Sequence, residues 1–246
     1  MKLTADALEE YENLEGWTLL DSSTAGMVIE LGESIDKEEP IIIVGWNPHW
    51  KFASYDLKYL DDPQGIFGEV ESINTIVRTD LQEDMPEAYE IFDRFYWEPE
   101  DMESVMLVAQ DASFEEAALE WIDDNQDKVD EWTEGIEESD GEEIEIIATP
   151  WDSELASGEV MKQVLEQHGY EVTITPVDPA IMFQAIATDE GDVSFAPWLP
   201  ITHGAFYEEY EGEFIDLGEN LVGAKIGLAV PEYMDIGSIE DLQPKK

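Results

Sequence analysis

A chain of 246 residues with 61 Asp and Glu against 11 Lys and Arg carries a formal charge of −50, so neither nucleic acid nor an anionic lipid surface is expected as a partner. Hydrophobic residues at 43% and aromatics at 11% are too abundant for a disordered acidic tail, and the length suits one large core or two lobes. With no cysteine, disulfides, thiol catalysis and cysteine zinc sites are excluded.

The acids are spread along the whole chain and form no Asp-x-Asp-x-Asp-Gly loop, so calcium is not expected and adaptation to high salt is. No stretch is long or apolar enough to span a bilayer. Met1-Lys2-Leu3-Thr4 does not begin a signal peptide, so no signal or anchor is expected within this chain.

In chain order, residues 3–11 predict a helix, 17–20 a short strand, 25–35 an amphipathic helix and 40–46 a fully apolar strand. A helix ahead of the first strand is odd for an alternating sheet, and implies a strand missing upstream. Residues 50–67 are expected as loop and 72–78 as a strand. From 86 to 136 the pattern is helical, with roughly three helices divided near Glu98-Pro99 and Asp111-Ala112-Ser113. There Phe92, Phe95, Met102, Met106, Phe114, Trp121 and Trp132 fall at helical spacings and are expected in the core.

After an acidic connector at 137–143, strands at 144–149 and 170–177 flank a helix at 154–168. Asp152 or Ser153 would cap its start and Gly169 would end it, with His168 against the helix dipole. Asp178 and Pro179 open another helix, 193–196 is a strand, 204–210 a short helix, and 225–230 a strand halted at Pro231. Strands alternating with helices predict a parallel sheet.

Three apolar runs each end in a tryptophan: Trp46, Trp151 and Trp198. A ring at the carboxyl end of a buried strand faces the crevice where α/β proteins bind ligands, and indole faces attract a cation that offers no hydrogen-bond donor. Singly, each ring is better explained by packing. Together they repeat one device, since Trp46-Asn47-Pro48-His49 parallels Trp198-Leu199-Pro200 followed by His203. A metal site at His49 or His203 is not expected, because at this acid density a nearby carboxylate arises by chance. The rival class is a cleft enzyme of the glycoside hydrolase kind, although no catalytic string occurs. Rings without an acid beside them would favour a quaternary ammonium ligand, and two carboxylates flanking a sugar-sized gap would favour hydrolysis.

The strings GWNPHWKFASYDLKYLDDPQGIFGE, INTIVR, PEDMESVML, EWTEGI, WDSELAS, PWLPITH, GAKIGLAVPEYM and SIEDL, in that order, closely resemble the substrate-binding proteins of ABC importers for glycine betaine and proline betaine. The order is that of the Bacillus type, a circular permutation of the enterobacterial one. The resemblance implies an α/β, two-lobed, type II periplasmic-binding-protein-like fold with a cleft between lobes. One lobe would comprise 1–71 and 231–246, and the other 79–223, with its helical segment at 86–136 and an α/β unit at 142–223. Strands 72–78 and 224–230 would be the hinge. It also implies a trimethylammonium cage of Trp46, Trp151 and Trp198, polar ligand contacts from His203, no cofactor and no catalysis. A membrane permease would be the partner of an extracytoplasmic, cell-surface-associated monomer. In that family the ligand carboxylate is held by a Gly-Ile-Asp-Pro-Gly turn, and Met1 aligns just past it. The expectation is thus a fragment, a misassigned start or a copy that no longer binds.

At a charge of −50 the surface acids repel one another unless screened, and the Debye length falls from about 10 Å at 0.1 M salt to about 3 Å at 1 M. Thermal melts should therefore rise as KCl is raised from roughly 0.1 to 2 M. A flat or falling melting temperature would show that the acidity does not serve salt tolerance.

Overall fold

The computed structural model describes residues 2–245, which divide into two compact units. Unit 1 is Met1–Asn47, Lys51–Val70 and Lys225–Lys246; unit 2 is Pro48–Trp50 and Glu71–Ala224.

Unit 1 opens with α1 (Lys2–Glu10), whose Ala7 packs with Tyr11, Leu60, Phe67 and Val230 in a core. The strand expected at 17–20 is absent. Trp17 instead donates its Nε1–H to the Gln243 carbonyl at 2.9 Å and lies under the Lys245 ammonium, while Leu20 is exposed. A run this short forms a strand only where a neighbouring strand offers it a ladder. The helix α2 (Thr24–Asp36) is capped by Ser23, whose hydroxyl accepts the Gly26 N–H. Strand β1 (Ile43–Asn47) starts three residues later than the apolar run, because Pro40 has no N–H to give a ladder. The expected loop at 50–67 contains a short helix α3 (Trp50–Ser54) and strand β2 (Leu57–Tyr59), both too short to register as periodic patterns. Asp62 closes the remaining loop by accepting the Tyr11 hydroxyl at 2.5 Å and the Phe67 N–H at 2.7 Å. Burial and that bond to Asp62 push the Tyr11 hydroxyl up to about 12.

Unit 2 begins with β3 (Glu71–Val77) and α4 (Leu81–Asp84). Four helices follow where three were expected: α5 (Pro86–Arg94), α6 (Pro99–Val108), α7 (Phe114–Asp124) and α8 (Gln126–Thr133). The additional break falls at Asn125, whose side-chain amide turns back to the Trp121 carbonyl. The predicted aromatics form the core of this bundle, with Trp121 stacked on Trp132 and edge-on to Trp97; Phe114 alone among those named is only half-buried.

A parallel α/β unit comes next: β4 (Glu143–Ala148), α9 (Asp152–Gln167) and β5 (Glu171–Pro176), with β4 and β5 paired over six residues. The cap of α9 is Trp151, in extended backbone, and not Asp152 or Ser153, both of which are already helical. After α10 (Pro179–Ala187), β6 (Val193–Ser194) runs parallel to β4 and antiparallel to β3. Then come β7 (Trp198–Leu199), antiparallel to β3, and α11 (Gly204–Glu209).

The last strand, β8 (Ile215–Pro231), begins ten residues before the strand expected at its end. Its first half pairs with β3 through three register shifts, and its second half belongs to unit 1, antiparallel to β1 and β2. Gly218 and Gly223, both at positive φ, interrupt the apolar pattern and hide the first half. The strand pairing is consequently mixed and not parallel, since among the named strands of the described residues only β4–β5 and β4–β6 pair in parallel.

Gly169 ends α9 at φ +88°, and a Cβ there would stand 2.4 Å from the Ser139 carbonyl oxygen. Gly65, at φ +68°, has nothing within 4 Å of such a Cβ. Gly65→Ala should cost about 1 kcal/mol for backbone conformation alone, and Gly169→Ala about 2–4 kcal/mol. In a chain of this length that difference lowers the melting temperature of Gly169→Ala by several degrees more. Equal melting temperatures would refute the clash.

Candidate functional site

The aromatic site of unit 2 forms where β4, α9 and β7 bring their ends together. Trp151 follows β4 and is 41% exposed, with its ring stacked on the His203 imidazole at 5.7 Å and 20°. Trp198 is buried in β7 against β3. Its Nε1–H donates to Glu154 Oε1 at 2.7 Å, and the Ser153 hydroxyl donates to the other Glu154 oxygen at 2.7 Å.

The segment 198–203 is tied to itself and to β3. The Trp198 N–H donates to His203 Nδ1 at 3.0 Å and the His203 N–H donates to the Trp198 carbonyl at 2.9 Å. The Leu199-Pro200 peptide is cis. Buried Glu71 accepts the N–H groups of Ile201 and Thr202 at 2.8 and 2.7 Å and the Thr202 hydroxyl at 2.5 Å.

Because Nδ1 of His203 accepts a hydrogen bond, the proton of the neutral imidazole is on Nε2. That Nε2–H is buried without a hydrogen-bond partner among the described residues. Burial lowers the His203 pKa to about 4, so the ring is a neutral donor at neutral pH. The same burial raises Glu154 to about 7, against the pull of the Ser153 and Trp198 donors. Of the two arrangements weighed in the sequence, rings without an acid and a flanking pair of carboxylates, the structure has neither. The acid is a single buried carboxyl at the indole edge, and the arrangement does not supply a flanking pair.

Trp46 lies in unit 1, on β1 opposite Ile226. The ammonium of Lys51, itself fully buried, stands 3.7 Å from the Trp46 ring centroid and donates to the Trp46 carbonyl at 3.0 Å. Trp151, Trp198 and His203 therefore share one site in unit 2, and Trp46 belongs to the other unit. His49 takes a different part: its N–H donates to Glu103, and the neighbouring Trp50 Nε1–H donates to Asp152 at 3.1 Å. Sequence reasoning missed Glu154 and Lys51. Among 61 acids no single one stands out, and a lysine beside a tryptophan string reads as solvated. A separate groove beside β4 and β5 is lined by Glu143, Glu145, Glu166, Glu171 and Asp192; it contains none of these aromatics and repels carboxylates.

The family model for the substrate-binding domain of ABC-type glycine betaine transport systems matches residues 1–124 and 142–246. The chain belongs to that family. Like the other members of this betaine-binding family, it is a transport protein and not an enzyme, which removes the glycoside hydrolase alternative. It is 48% identical to the glycine betaine/carnitine transport binding protein GbuC of Listeria monocytogenes over 100% of this chain and 83% of the relative. Lactococcal OpuAC, solved closed with glycine betaine, is 48% identical over 55% of this chain and 53% of that one, with a TM-score of 0.51. A phosphate-binding protein of a Streptococcus pneumoniae ABC transporter, 11% identical with a TM-score of 0.50, covers 93% of this chain and 79% of its own and shares the fold alone. No helix among the described residues is long and apolar enough to cross a membrane.

The two titratable groups bound to Trp198 make opposite contributions with pH. Glu154 binds a proton more tightly folded than unfolded, so its contribution is present below pH 4.5 and lost as pH rises through about 7. His203 binds its proton less tightly folded, so its contribution is present above pH 6.5 and lost as pH falls toward about 4. Each shift corresponds to on the order of 3 kcal/mol. Glu154→Gln removes the first, so its melting temperature should gain on the wild type as pH goes from 5 to 8. A constant difference across that range would show that Glu154 does not titrate as its burial requires.

Proposed function

We propose that this chain captures glycine betaine, proline betaine or a related trimethylammonium carboxylate, and delivers it to the permease of an ABC importer for osmoprotective uptake. The observation that carries the reading is the unused, buried Nε2–H of His203, a ring stacked on Trp151 and hydrogen-bonded to the Trp198 backbone. A donor set among aromatic faces suits a ligand with a carboxylate at one end and a cation without N–H groups at the other. Trp151, Trp198 and Trp46 would face the trimethylammonium group by cation–π attraction, and His203 would donate to the carboxylate. Carnitine, which the name of the Listeria relative includes, has the same two ends and belongs in the test.

The reading places the protein outside the cytoplasm, at the cell surface, as a monomer. The charge of −50 fits surroundings of high salt, where a solute of this class is needed.

Titration calorimetry in molar KCl with glycine betaine, proline betaine, carnitine and choline tests the reading. Trp198→Ala should weaken glycine betaine binding roughly tenfold or more, from the loss of one desolvated cation–π contact. His203→Ala should weaken it by about 10- to 100-fold, as removal of a hydrogen bond to a charged group does, and leave choline unaffected. Trp121→Ala, in the helical core, should lower the melting temperature without that loss of affinity. Equal affinity in wild type and Trp198→Ala would sink the cage.

A further inference from the structure

Glu154 is the one acid whose burial the fold does not explain. It lies inside unit 2 near the start of α9, where its two oxygens accept from neutral donors, the Trp198 Nε1–H and the Ser153 hydroxyl, and where its own backbone N–H and the Thr149 side chain also favour the charged form. The influences on its carboxyl are burial and neutral hydrogen-bond donors, with no cationic partner among them. An ionised carboxylate held this way loses more hydration than its neutral donors return, so burial still pushes its pKa up to about 7. For anchoring the indole, an uncharged acceptor such as Gln would serve as well, without that penalty.

The charge does have an effect at Trp198. A carboxylate accepting from Nε1–H draws the proton toward itself and leaves the ring richer in electrons, which strengthens the attraction of its face for a cation. A cation seated on that face would also feel the carboxylate directly, since opposite charges attract strongly where little water screens them.

We propose that Glu154 is the buried counter-charge of the ligand's quaternary ammonium group, acting through the Trp198 indole, and that it selects a cationic head over a neutral one of the same shape. The inference rests on the reading that Trp198 faces the ligand. Glu154 is a positioning and charge-selecting residue in this account, since Trp198 makes the contact. Ser153 keeps the carboxylate in place from its other side, and His203, the other titratable group bound to Trp198, remains neutral.

The test compares wild type, Glu154→Gln and Glu154→Asp at pH 8, where the carboxyl is ionised. Two ligands are used: glycine betaine, and 3,3-dimethylbutanoate, in which carbon replaces the quaternary nitrogen. Affinity for the second is read by competition against betaine. Glu154→Gln keeps an acceptor for Nε1–H but not the charge, so its betaine affinity should fall on the order of tenfold while that for dimethylbutanoate holds within about twofold. Glu154→Asp keeps the charge and should keep the preference between the two ligands, whatever its absolute affinity. That ratio is insensitive to general damage to the fold.

If Glu154→Gln binds betaine as tightly as wild type, Glu154 is structural only and the proposal fails. Equal weakening of both ligands would overturn it as well, because geometry would then be the cause. Wild-type protein that binds no betaine at all would sink the functional reading itself, and this inference with it.

Discussion

The 198–203 segment is held from two directions by buried carboxylates, Glu71 from β3 and Glu154 from α9, in a protein whose acids otherwise mostly face water. Glu71 gathers three donors from Ile201 and Thr202, which satisfies N–H groups that a tight segment beside a strand could not pair in a ladder. With the middle of the segment fixed there, its two ends carry the chemistry. Trp198 and His203 exchange backbone and ring hydrogen bonds, and these set the imidazole tautomer and leave Nε2–H unspent. Losing Glu71 would orphan three donors at once, and the ring and imidazole geometry would go with them.

How much of this was legible in the sequence depended on length and on composition. Long periodic elements such as α2, α9 and the helices of 86–136 followed from their apolar spacing, and Gly169 marked the end of α9. The misses were short or interrupted. A three-residue β2 and a two-residue β7 exist because β8 and β3 offer them a partner, which no local window records. The first half of β8 carries glycines and acids that break its alternation. The tryptophans could be picked out because a large ring at a strand end is unusual. Glu154 could not, because acidity is this chain's background and only burial sets a carboxyl apart from it.

Burial also explains why Glu154 and His203 belong together. Each is a titratable group kept from water, and each is pushed toward its neutral form, Glu154 to about 7 and His203 to about 4. A core optimised for stability alone would replace both with apolar residues. Retaining a half-suppressed acid at the Trp198 indole and a neutral donor at the Trp198 backbone is what the proposed zwitterionic ligand would call for, one group for each of its ends.

The rings themselves are not equivalent. Trp46 already meets a cation supplied by the chain, the Lys51 ammonium 3.7 Å from its centroid, so part of its electron density is engaged before any ligand arrives. Trp198 receives the opposite treatment, a carboxylate at its N–H that enriches the ring. Trp151 has neither, and stacks on a neutral imidazole with 41% of its surface open. In the proposed cage the electrostatic share of a cation–π contact would thus be largest at Trp198 and smallest at Trp46, where Lys51 instead bridges the ring and its own backbone carbonyl. Three tryptophans that look alike in the sequence are set apart by the charges beside them.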